Sequence, residues 1–418
     1  MKTRGWVKLA LTVFLAAALV GCGRGKPEID VKEVLSKPKA FVGSDQCKLC
    51  HLEHYDSWRT TLHSRTIQDV AENRDAVIAN IDPEVIRRDL KKQEKNLKVP
   101  LEEIYIPKLE EIKYTIGIQW KQQYLVEKNG TLYIAPLQYN TWDDTWVSYH
   151  EDDWDQRPWA EKCGGCHVMG LDLEKNTFAE ARVGCEACHG PGSHHAALPK
   201  TALFDKRLTI VNPSKLSTGI RTQICGSCHS RGESTKVKGV AWPVEHVAGQ
   251  ALGPYYKLSS YADGDGTFMY PNELAKGHHM QFMDWQKSLH AREGVTCTSC
   301  HYVHQLGVAP TQFQTKGSGS QQCLICHQVI NPNMAHSIHS FANCIGCHMP
   351  RIAQSAVSGD LHSHAFIALL PKVTLANPEN PNSCVVCHKH KDADLATLQQ
   401  TFDGLSKRTL LGVHRTYR

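Results

Sequence analysis

Sixteen of the seventeen cysteines in this 418-residue chain lie in eight copies of the pattern Cys-x-x-Cys-His. The pattern is the attachment signature of a c-type haem, whose porphyrin forms two thioethers and whose iron binds the following histidine. Zinc ribbons do not need a histidine directly after each cysteine pair. A redox dithiol occurs once per active site rather than eight times. The spacing therefore predicts eight covalently bound haem c groups, each with iron.

The eight motifs are numbered here as sites 1 to 8 in chain order. The cysteines predicted to bind haem are Cys47 and Cys50, Cys163 and Cys166, Cys185 and Cys188, Cys225 and Cys228, Cys297 and Cys300, Cys323 and Cys326, Cys344 and Cys347, and Cys384 and Cys387. The predicted proximal iron ligands are His51, His167, His189, His229, His301, His327, His348 and His388.

The second axial ligand of each iron decides what such a protein can do. A haem with two protein ligands carries electrons, whereas a haem with an open face can bind a substrate. The chain has 24 histidines, so sixteen remain after the eight proximal ones. These are enough to supply a second axial ligand to every iron. We predict mostly bis-histidine ligation, with distal ligands His63, His195, His290, His304, His339 and His364.

The remaining histidines are less constrained by the sequence. His54 and His304 each follow a proximal histidine by three residues, so each lies on the same helical face as that histidine. Neither side chain can easily reach the opposite face of the haem attached at the adjoining motif. Each is therefore expected to ligate a neighbouring haem. The roles of His150, His246, His278, His279 and His336 stay open, and His390 and His414 are expected to face solvent.

The N-terminus resembles an export signal. Lys2, Arg4 and Lys8 precede an apolar run from Leu9 to Val20, which is short for a membrane span. Leu19-Val20-Gly21-Cys22 then resembles the bacterial lipoprotein cleavage box. We predict a signal peptide at residues 1–21, lipidation of Cys22, and attachment to the cell envelope, with the outer membrane favoured.

The charge balance argues against nucleic-acid binding. The formal charge is +5, and the predicted signal contributes three of those charges, leaving +2 on the mature chain. Each ferric haem has one net positive charge at the iron and two negatively charged propionates, so it contributes −1. Eight haems therefore bring the total charge to about −6. A clustered basic face, which nucleic-acid binding requires, is not evident.

The layout predicts a mainly α fold with extensive irregular loops and one β-hairpin region, organised around the haems. Asp82-Pro83 is typical of a helix start, and Asn129-Gly130 is typical of a hairpin turn. Five tryptophans in this stretch, Trp120, Trp142, Trp146, Trp154 and Trp159, indicate a hydrophobic sub-core, with a pocket over one haem as the alternative. The predicted segments are the lipidated tether 22–40, site 1 with its helix and hairpin at 41–162, sites 2–4 with a connector at 163–280, sites 5–8 at 281–392, and a C-terminal helix at 393–418.

Several stretches resemble the cytochrome c-554 family. They are VGSDQCKLCHLEHYDSWRTTLHS, CEACHGPGSHH, DWQKSLHAREGVTCTSCHYVH and SIHSFANCIGCHMPR, spread over residues 41 to 390. The resemblance implies an exported, largely helical electron carrier with closely packed haem pairs. The best known members carry four haems, so eight motifs depart from the family pattern.

These observations favour an exported cytochrome that relays electrons in respiratory or extracellular electron transfer. The expected partners are other redox proteins of the envelope, such as cytochromes or a quinol-linked complex, together with the membrane through the lipid anchor. Self-assembly into a filament is the alternative arrangement. The alternative function is reduction or oxidation of nitrite, hydroxylamine or a sulfur oxyanion at one open-faced haem.

Overall fold

Short helices joined by long irregular segments form most of the molecule. A computed structural model describes residues 29–305, 313–330 and 333–408. The predicted signal peptide, Cys22 and His414 lie outside the described residues. The described helices are α1 (Val31–Ser36), α2 (Ser44–Lys48), α3 (Leu52–Arg59), α4 (Pro83–Lys91), α5 (Gly165–His167), α6 (Glu186–His189), α7 (Ser193–Ala197), α8 (Leu203–Leu208), α9 (Thr218–Gly226), α10 (Gln281–Gln286), α11 (Leu289–Arg292), α12 (Cys297–Cys300), α13 (Gln321–Leu324), α14 (Met334–Ile338), α15 (Cys344–His348), α16 (Pro371–Ala376) and α17 (Leu395–Ser406).

The strands form one five-stranded antiparallel sheet and two small pairs. The large sheet has its strands in chain order, which extends the single hairpin expected from the sequence. The five strands are β1 (Ile67–Asp69), β2 (Ile112–Ile116), β3 (Lys121–Lys128), β4 (Thr131–Asn140) and β5 (Thr145–Ser148), and the small pairs are β6 (Gly232–Ser234) with β7 (Tyr256–Leu258), and β8 (Arg351–Ala353) with β9 (Leu361–His362).

The predicted hairpin is confirmed at the centre of the large sheet. Lys128 of β3 pairs with Thr131 of β4, and the register continues to Lys121 opposite Asn140. Asn129 and Gly130 both have positive φ, 53° and 76°. Two successive residues with positive φ fit the two-residue turn that matches strand twist.

The two faces of this sheet pack against different parts of the chain. Side chains alternate along a strand, so Tyr124 faces one core and Leu125 faces the other. The first core contains Ile86 and Leu90 of α4, both fully buried and one helical turn apart. The second core contains Trp159 from the segment that leads into site 2. The sheet therefore supports site 2 directly.

The tryptophans before site 2 do not form a single group. Trp146 and Trp159 are buried in the two separate cores, whereas Trp142 is 82% exposed. Trp154 stacks on Tyr105 at 5.0 Å between ring centroids. The sub-core interpretation is confirmed for Trp146 and Trp159, and the five side chains do not converge on one pocket.

The predicted helix start at Asp82-Pro83 is confirmed, whereas the predicted tether differs from the structure. The Asp82 side chain accepts from the Glu84 amide at 2.9 Å, and Pro83 is the first residue of α4. α17 begins after Asp394, which caps it in the same way. In contrast, the second half of the predicted tether forms α1, whose Val34 is buried. Among the described residues, no helix is both long and apolar enough to cross a bilayer.

Candidate haem sites

Seven of the eight sites place the two cysteines and the histidine on a single helical turn. At site 1 the His51 amide donates to the Cys47 carbonyl at 2.9 Å, and at site 4 the His229 amide donates to Cys225 at 2.8 Å. Residues four apart lie on the same face of a turn. The first cysteine and the histidine can therefore contact one porphyrin together.

Most proximal histidines face a second imidazole at a constant distance. A metal–imidazole bond is about 2 Å long and a ring centroid lies about 1 Å beyond its nitrogen, so two rings sharing one iron are about 6 Å apart. Six motif histidines meet this condition. The pairs are His51 with His195 (6.2 Å), His189 with His304 (6.3 Å), His229 with His63 (6.2 Å), His301 with His364 (6.3 Å), His327 with His290 (5.9 Å) and His348 with His336 (6.3 Å).

A seventh pair joins two histidines of which neither directly follows a cysteine. His339 faces His390 at 6.1 Å, with the rings 70° apart. All six distal histidines chosen from the sequence thus lie in facing pairs. His336, which sequence reasoning left open, faces His348, and His390, expected in solvent, faces His339.

The ring planes fall into two groups. At sites 1, 3, 5 and 7 the facing rings are nearly parallel, between 19° and 23° apart. At sites 4 and 6 they are nearly perpendicular, at 85° and 77°. The sites are therefore of at least two geometric kinds.

Hydrogen bonds at Nδ1 leave Nε2 available for metal in several of these rings. His189 Nδ1 lies 2.7 Å from the Val211 carbonyl, and His195 Nδ1 lies 2.9 Å from the Lys206 carbonyl. His301 and His339 make the same contact with Phe313 and Ala335. A carbonyl oxygen only accepts, so Nδ1 carries the proton and Nε2 keeps its lone pair. This arrangement fixes the tautomer and the ring orientation that a metal-ligating histidine needs.

Burial keeps these imidazoles neutral. It lowers the pKa of His63, His167 and His364 to about 4. It also lowers the pKa of His301. A neutral imidazole is the form that binds a metal, so the environment of each ring matches the predicted role.

Adjacent histidines are separated into different roles by their contacts. His195 faces His51, whereas the neighbouring His194 uses its Nε2 to contact the Lys37 carbonyl at 2.7 Å. His54 is 6.3 Å from His51, a distance within the range of the pairs, but it lies three residues after His51 on the same helical face, and its ring is also 4.8 Å from His304. The other histidines held by local polar contacts are His150 with Asp153, His246 with Gln250 and His362 with Met349.

At site 2, as at site 8, no imidazole of the described residues faces the motif histidine at the spacing of the pairs; at site 2 this histidine is His167, whose ring is buried. Site 2 also has an unusual backbone. Its first cysteine lies on a π-helical turn, Ala160–Gly164, a form often found at functional sites. A Cβ at Gly165 would lie 2.1 Å from the Trp242 ring, so only glycine fits between the two cysteines. Trp242 is fixed there by donating to the Ala160 carbonyl at 2.8 Å.

A buried basic cluster lies near His167. His278 and His279 have ring centroids 4.2 Å apart, and both interact electrostatically with His167. The Arg231 Nη2 atom is 3.2 Å from His278 Nδ1, while the buried Arg231 Nε has no hydrogen-bond partner. Burial lowers the pKa of Lys121, which belongs to the same cluster, to about 8. The surroundings of site 2 therefore favour an anion.

Motif cysteines of different sites lie close to each other and order the sites in space. Side-chain interactions place Cys47 near Cys185, Cys166 near Cys228, Cys225 near Cys297, and Cys323 near Cys344. These atoms correspond to thioether sulfurs in a haem-bound protein, so their proximity indicates which attachment points are neighbours. Electrostatic interactions supply the remaining links, Cys188 with Cys228, Cys300 with Cys326, and Cys347 with Cys387.

The resulting order is 1–3–4–5–6–7–8, with site 2 beside site 4. Histidines support the same order, because His63 of the site 4 pair interacts with His301 of site 5. His327 of site 6 likewise interacts with His348 of site 7. The spatial order therefore departs from the chain order at site 2, and no residue spacing indicates this branch.

Apolar side chains around the motifs fit a porphyrin. Leu49 is 73% exposed, Ile325 60% and Phe341 73%, although such residues are usually buried. Leu49 and Ile325 lie within a cysteine pair, and Phe341 lies three residues before one, so a covalently attached porphyrin would cover them. With the facing imidazoles, these residues fit haem as the group that the sites hold.

Comparisons with known proteins agree with this chemistry. Residues 150–340 match the cytochrome c552 family, and residues 46–99 match the family of cytochrome c554 and c-prime. The resemblance expected along 41–390 is thus divided between two families. The site geometry and these matches identify the chain as a multihaem c-type cytochrome, in which haem c is bound covalently.

Individual relatives are distant. Cytochrome c-552 of Aliarcobacter butzleri (strain RM4018) is 21% identical over 175 residues, covering 37% of this chain and 35% of the relative. Cytochrome c-552 of Haemophilus ducreyi (strain 35000HP / ATCC 700724) is 26% identical over 129 residues, covering 28% and 26%. The matches thus span about a third or less of these relatives. The crystal structure of the outer cell wall cytochrome OcwA has a similar fold, with a TM-score of 0.66 at 23% identity over 87% of this chain and 86% of that one.

Proposed function

We propose that this chain is an exported octahaem cytochrome that relays electrons through a line of mostly bis-histidine haems. The observation that carries the proposal is the set of six motif histidines that each face a second imidazole, at sites whose cysteines interact in the order 1, 3, 4, 5, 6, 7 and 8. Haem supplies the redox chemistry, and the chain sets its axial ligands and surroundings, which tune the potential over roughly 0.8 V. Neighbouring sites can then form a graded path.

Both ends of the line reach the surface. Cys50 at site 1 and Lys389 at site 8 are exposed, as is Cys326 at site 6 within the line. An electron carrier needs its first and last haems accessible to partners, because tunnelling decays steeply with distance. The exposure of the two terminal sites supports exchange with other redox proteins, such as cytochromes or a quinol-linked complex.

The proposed location is the cell envelope, with a lipid anchor at Cys22. The anchor is inferred from the Leu19-Val20-Gly21-Cys22 box, which lies outside the described residues. The similar fold of an outer cell wall cytochrome supports an envelope location. We favour a tethered complex in the outer membrane over a free filament, because a lipid anchor holds the chain at one surface.

One purification tests these proposals together. Intact mass of the native protein is expected to show eight haem additions and an acylated N-terminus at Cys22. EPR of the oxidised protein is expected to show low-spin signals of two classes, since the relative orientation of the imidazole planes sets the splitting of the iron orbitals. Seven or fewer haems, or mainly high-spin iron, would contradict the relay.

Site 2 supports a second candidate function, reduction of a small anion. His167 has no facing imidazole among the described residues, and the buried Arg231 and Lys121 lie close by. Two buried cations attract an oxyanion such as nitrite or sulfite. Arg231 would orient the anion, and His278 or His279, whose pKa burial lowers well below the usual value, would offer it the N–H of a neutral ring. Site 2 also adjoins site 4 on the line, so electrons can reach it.

The two candidate functions differ in CO binding and in turnover of a small anion. A relay alone predicts that the reduced protein binds no CO and does not turn over nitrite, hydroxylamine or sulfite with a reduced dye. One CO-binding haem with steady turnover would establish the reductase. One CO-binding haem without turnover of any of the three would leave site 2 as an open but unreactive branch and retain the relay.

A further inference from the structure

We propose that Phe366 is a positioning residue for two neighbouring haems, and that its ring holds the second imidazole of site 6 perpendicular to the motif histidine. Site 6 pairs His327 with His290, and site 5 pairs His301 with His364. The inference deepens the proposed relay and rests on haem being bound at both sites. It concerns the orientation of the ligand planes, which a spectrum reports separately from electron transfer.

The Phe366 ring lies between the second ligands of the two sites. Its centroid is 4.4 Å from that of His290 at site 6, with the planes 83° apart. The same centroid is 5.8 Å from that of His364 at site 5, with the planes 77° apart. Edge-to-face contacts are a favoured arrangement of aromatic rings. One side chain therefore restricts the rotation of both imidazoles.

The His290 ring depends on this contact more than other second ligands do. At His195 a carbonyl accepts from Nδ1 at 2.9 Å, which fixes the rotation of the ring. Within the part of the chain that the structure describes, the His290 ring has no hydrogen bond, and its ring contacts are with Phe366 and His327. The aromatic contact thus takes the place of the usual polar partner.

The backbone at Phe366 is strained, which supports a role for this ring. Its φ is 53°, in the left-handed region that a bulky residue adopts only at a cost. Glycine occupies this region readily because it has no Cβ. Such strain persists where the surrounding structure over-determines the conformation, and it clusters at functional sites and ligand clamps. The chain therefore keeps a phenylalanine here against the preference of its own backbone.

Buried contacts on both sides of this ring hold the conformation. Before it, Asp284, which is 1% exposed, accepts from the Ser363 hydroxyl at 2.6 Å and from the His364 amide at 3.2 Å. After it, the Leu369 amide donates to the Ser383 hydroxyl at 2.9 Å. The ring is thus placed by groups other than the imidazoles that it contacts.

The apolar surroundings of the ring provide a matched control. Phe366 packs against a cluster that contains Leu252, Phe282 and Trp285. Leu252 is 4% exposed in that cluster. Its aliphatic side chain shares the packing but cannot form an edge-to-face contact with an imidazole. A variant of Leu252 therefore separates loss of packing from loss of ligand orientation.

The test removes the ring in the full-length holoprotein. Phe366→Gly suits the left-handed backbone, and Phe366→Leu keeps an apolar side chain. In both variants intact mass is expected to show the wild-type haem count. EPR of the oxidised protein is expected to lose the intensity of one haem from the perpendicular group, because the His290 plane is free to turn. Phe366→Tyr keeps the ring and is expected to retain the wild-type spectrum, as is Leu252→Ala, which is expected to lower only the thermal stability.

An unchanged EPR spectrum in the glycine and leucine variants, at the wild-type haem count, would overturn the inference. The same spectral change in Leu252→Ala would also overturn it, because packing alone would then set the plane. If neither Phe366 variant yields haem-loaded protein, NMR of wild-type protein labelled at phenylalanine decides. The Phe366 ring, identified by its absence in Phe366→Tyr, is expected to show dipolar contact with a hyperfine-shifted histidine, and lack of that contact would overturn the inference.

The wild-type spectrum separates this inference from the proposed function. Mainly high-spin iron would contradict the relay itself. Low-spin iron without a perpendicular group would leave the relay intact and overturn the role of Phe366 alone.

Discussion

At the scale of single residues, the ring nitrogen that a backbone carbonyl occupies separates the roles of the neighbouring residues His194 and His195. A carbonyl at Nδ1, as at His189 and His195, leaves Nε2 for metal. A carbonyl at Nε2, as at His194, removes that possibility. His195 is thereby assigned as an iron ligand and the neighbouring His194 as a structural contact.

His194 and His195 give a matched pair for testing this rule. His195→Ala is expected to add one high-spin, CO-binding haem, because His51 loses its facing imidazole. His194→Ala is expected to keep every spin state but to lower the free energy of unfolding by about 1–3 kcal/mol, since the Lys37 carbonyl loses its partner. EPR and denaturation of both variants provide the comparison. Unchanged low-spin iron in His195→Ala would assign the ligand to another histidine, such as His54.

At the scale of elements, a buried carboxylate holds three segments together. Glu186 is 3% exposed on α6, within the site 3 motif. It accepts from the Val42, Gly43 and Gly192 amides at 2.7–3.0 Å. The segment before α2 and the turn before α7 are therefore fixed to site 3, and with them Cys47 and His195.

Removing this carboxylate is expected to loosen site 1 and site 3 together. Glu186→Ala leaves three amides without partners, so we expect the free energy of unfolding to fall by about 3 kcal/mol. Glu186→Gln keeps one acceptor oxygen and is expected to lose less. Thermal denaturation followed by the haem absorbance measures both, with the exposed Glu174→Ala as the control. Equal stability of Glu186→Ala and Glu174→Ala would contradict this role.

At the scale of the whole molecule, two kinds of core support the fold. The sheet and α4 have an extensive apolar core of their own, including Tyr124, Leu137 and Trp146. Beyond residue 250 the apolar clusters are small, as in the group of Met269, Ala275, Met280 and Met283. Much of that half is therefore expected to obtain its core from porphyrin surface.

A chain made without haem attachment tests this division. The sheet region, residues 67–148, is expected to stay resistant to limited proteolysis, because its core is built from side chains alone. The region from site 5 onward is expected to be cleaved, since Val329 and Phe341 are 90% and 73% exposed without a porphyrin. Peptide mapping by mass spectrometry locates the cuts. Equal protection of residues 281–408 would contradict a core that depends on haem.

The sequence by itself determined the local features of this protein. Cysteine pairs with a following histidine specify covalent haem because all three residues lie on one turn, so the spacing alone records the chemistry. Asp82-Pro83 and Asn129-Gly130 likewise mark a helix start and a hairpin turn, since each depends on the backbone of a few residues. His63 and His290, both predicted as distal ligands, each follow a tryptophan by five residues, and both face motif histidines.

Only the tertiary structure decided which site adjoins which. His63 faces His229 across 166 residues of chain, and Cys47 contacts Cys185 across 138. Such pairings depend on how distant turns pack, and no residue spacing records them. The branch at site 2 and the pairing of His339 with His390 belong to the same class. Haem attachment is a property of one turn, whereas the path between haems is a property of the whole chain.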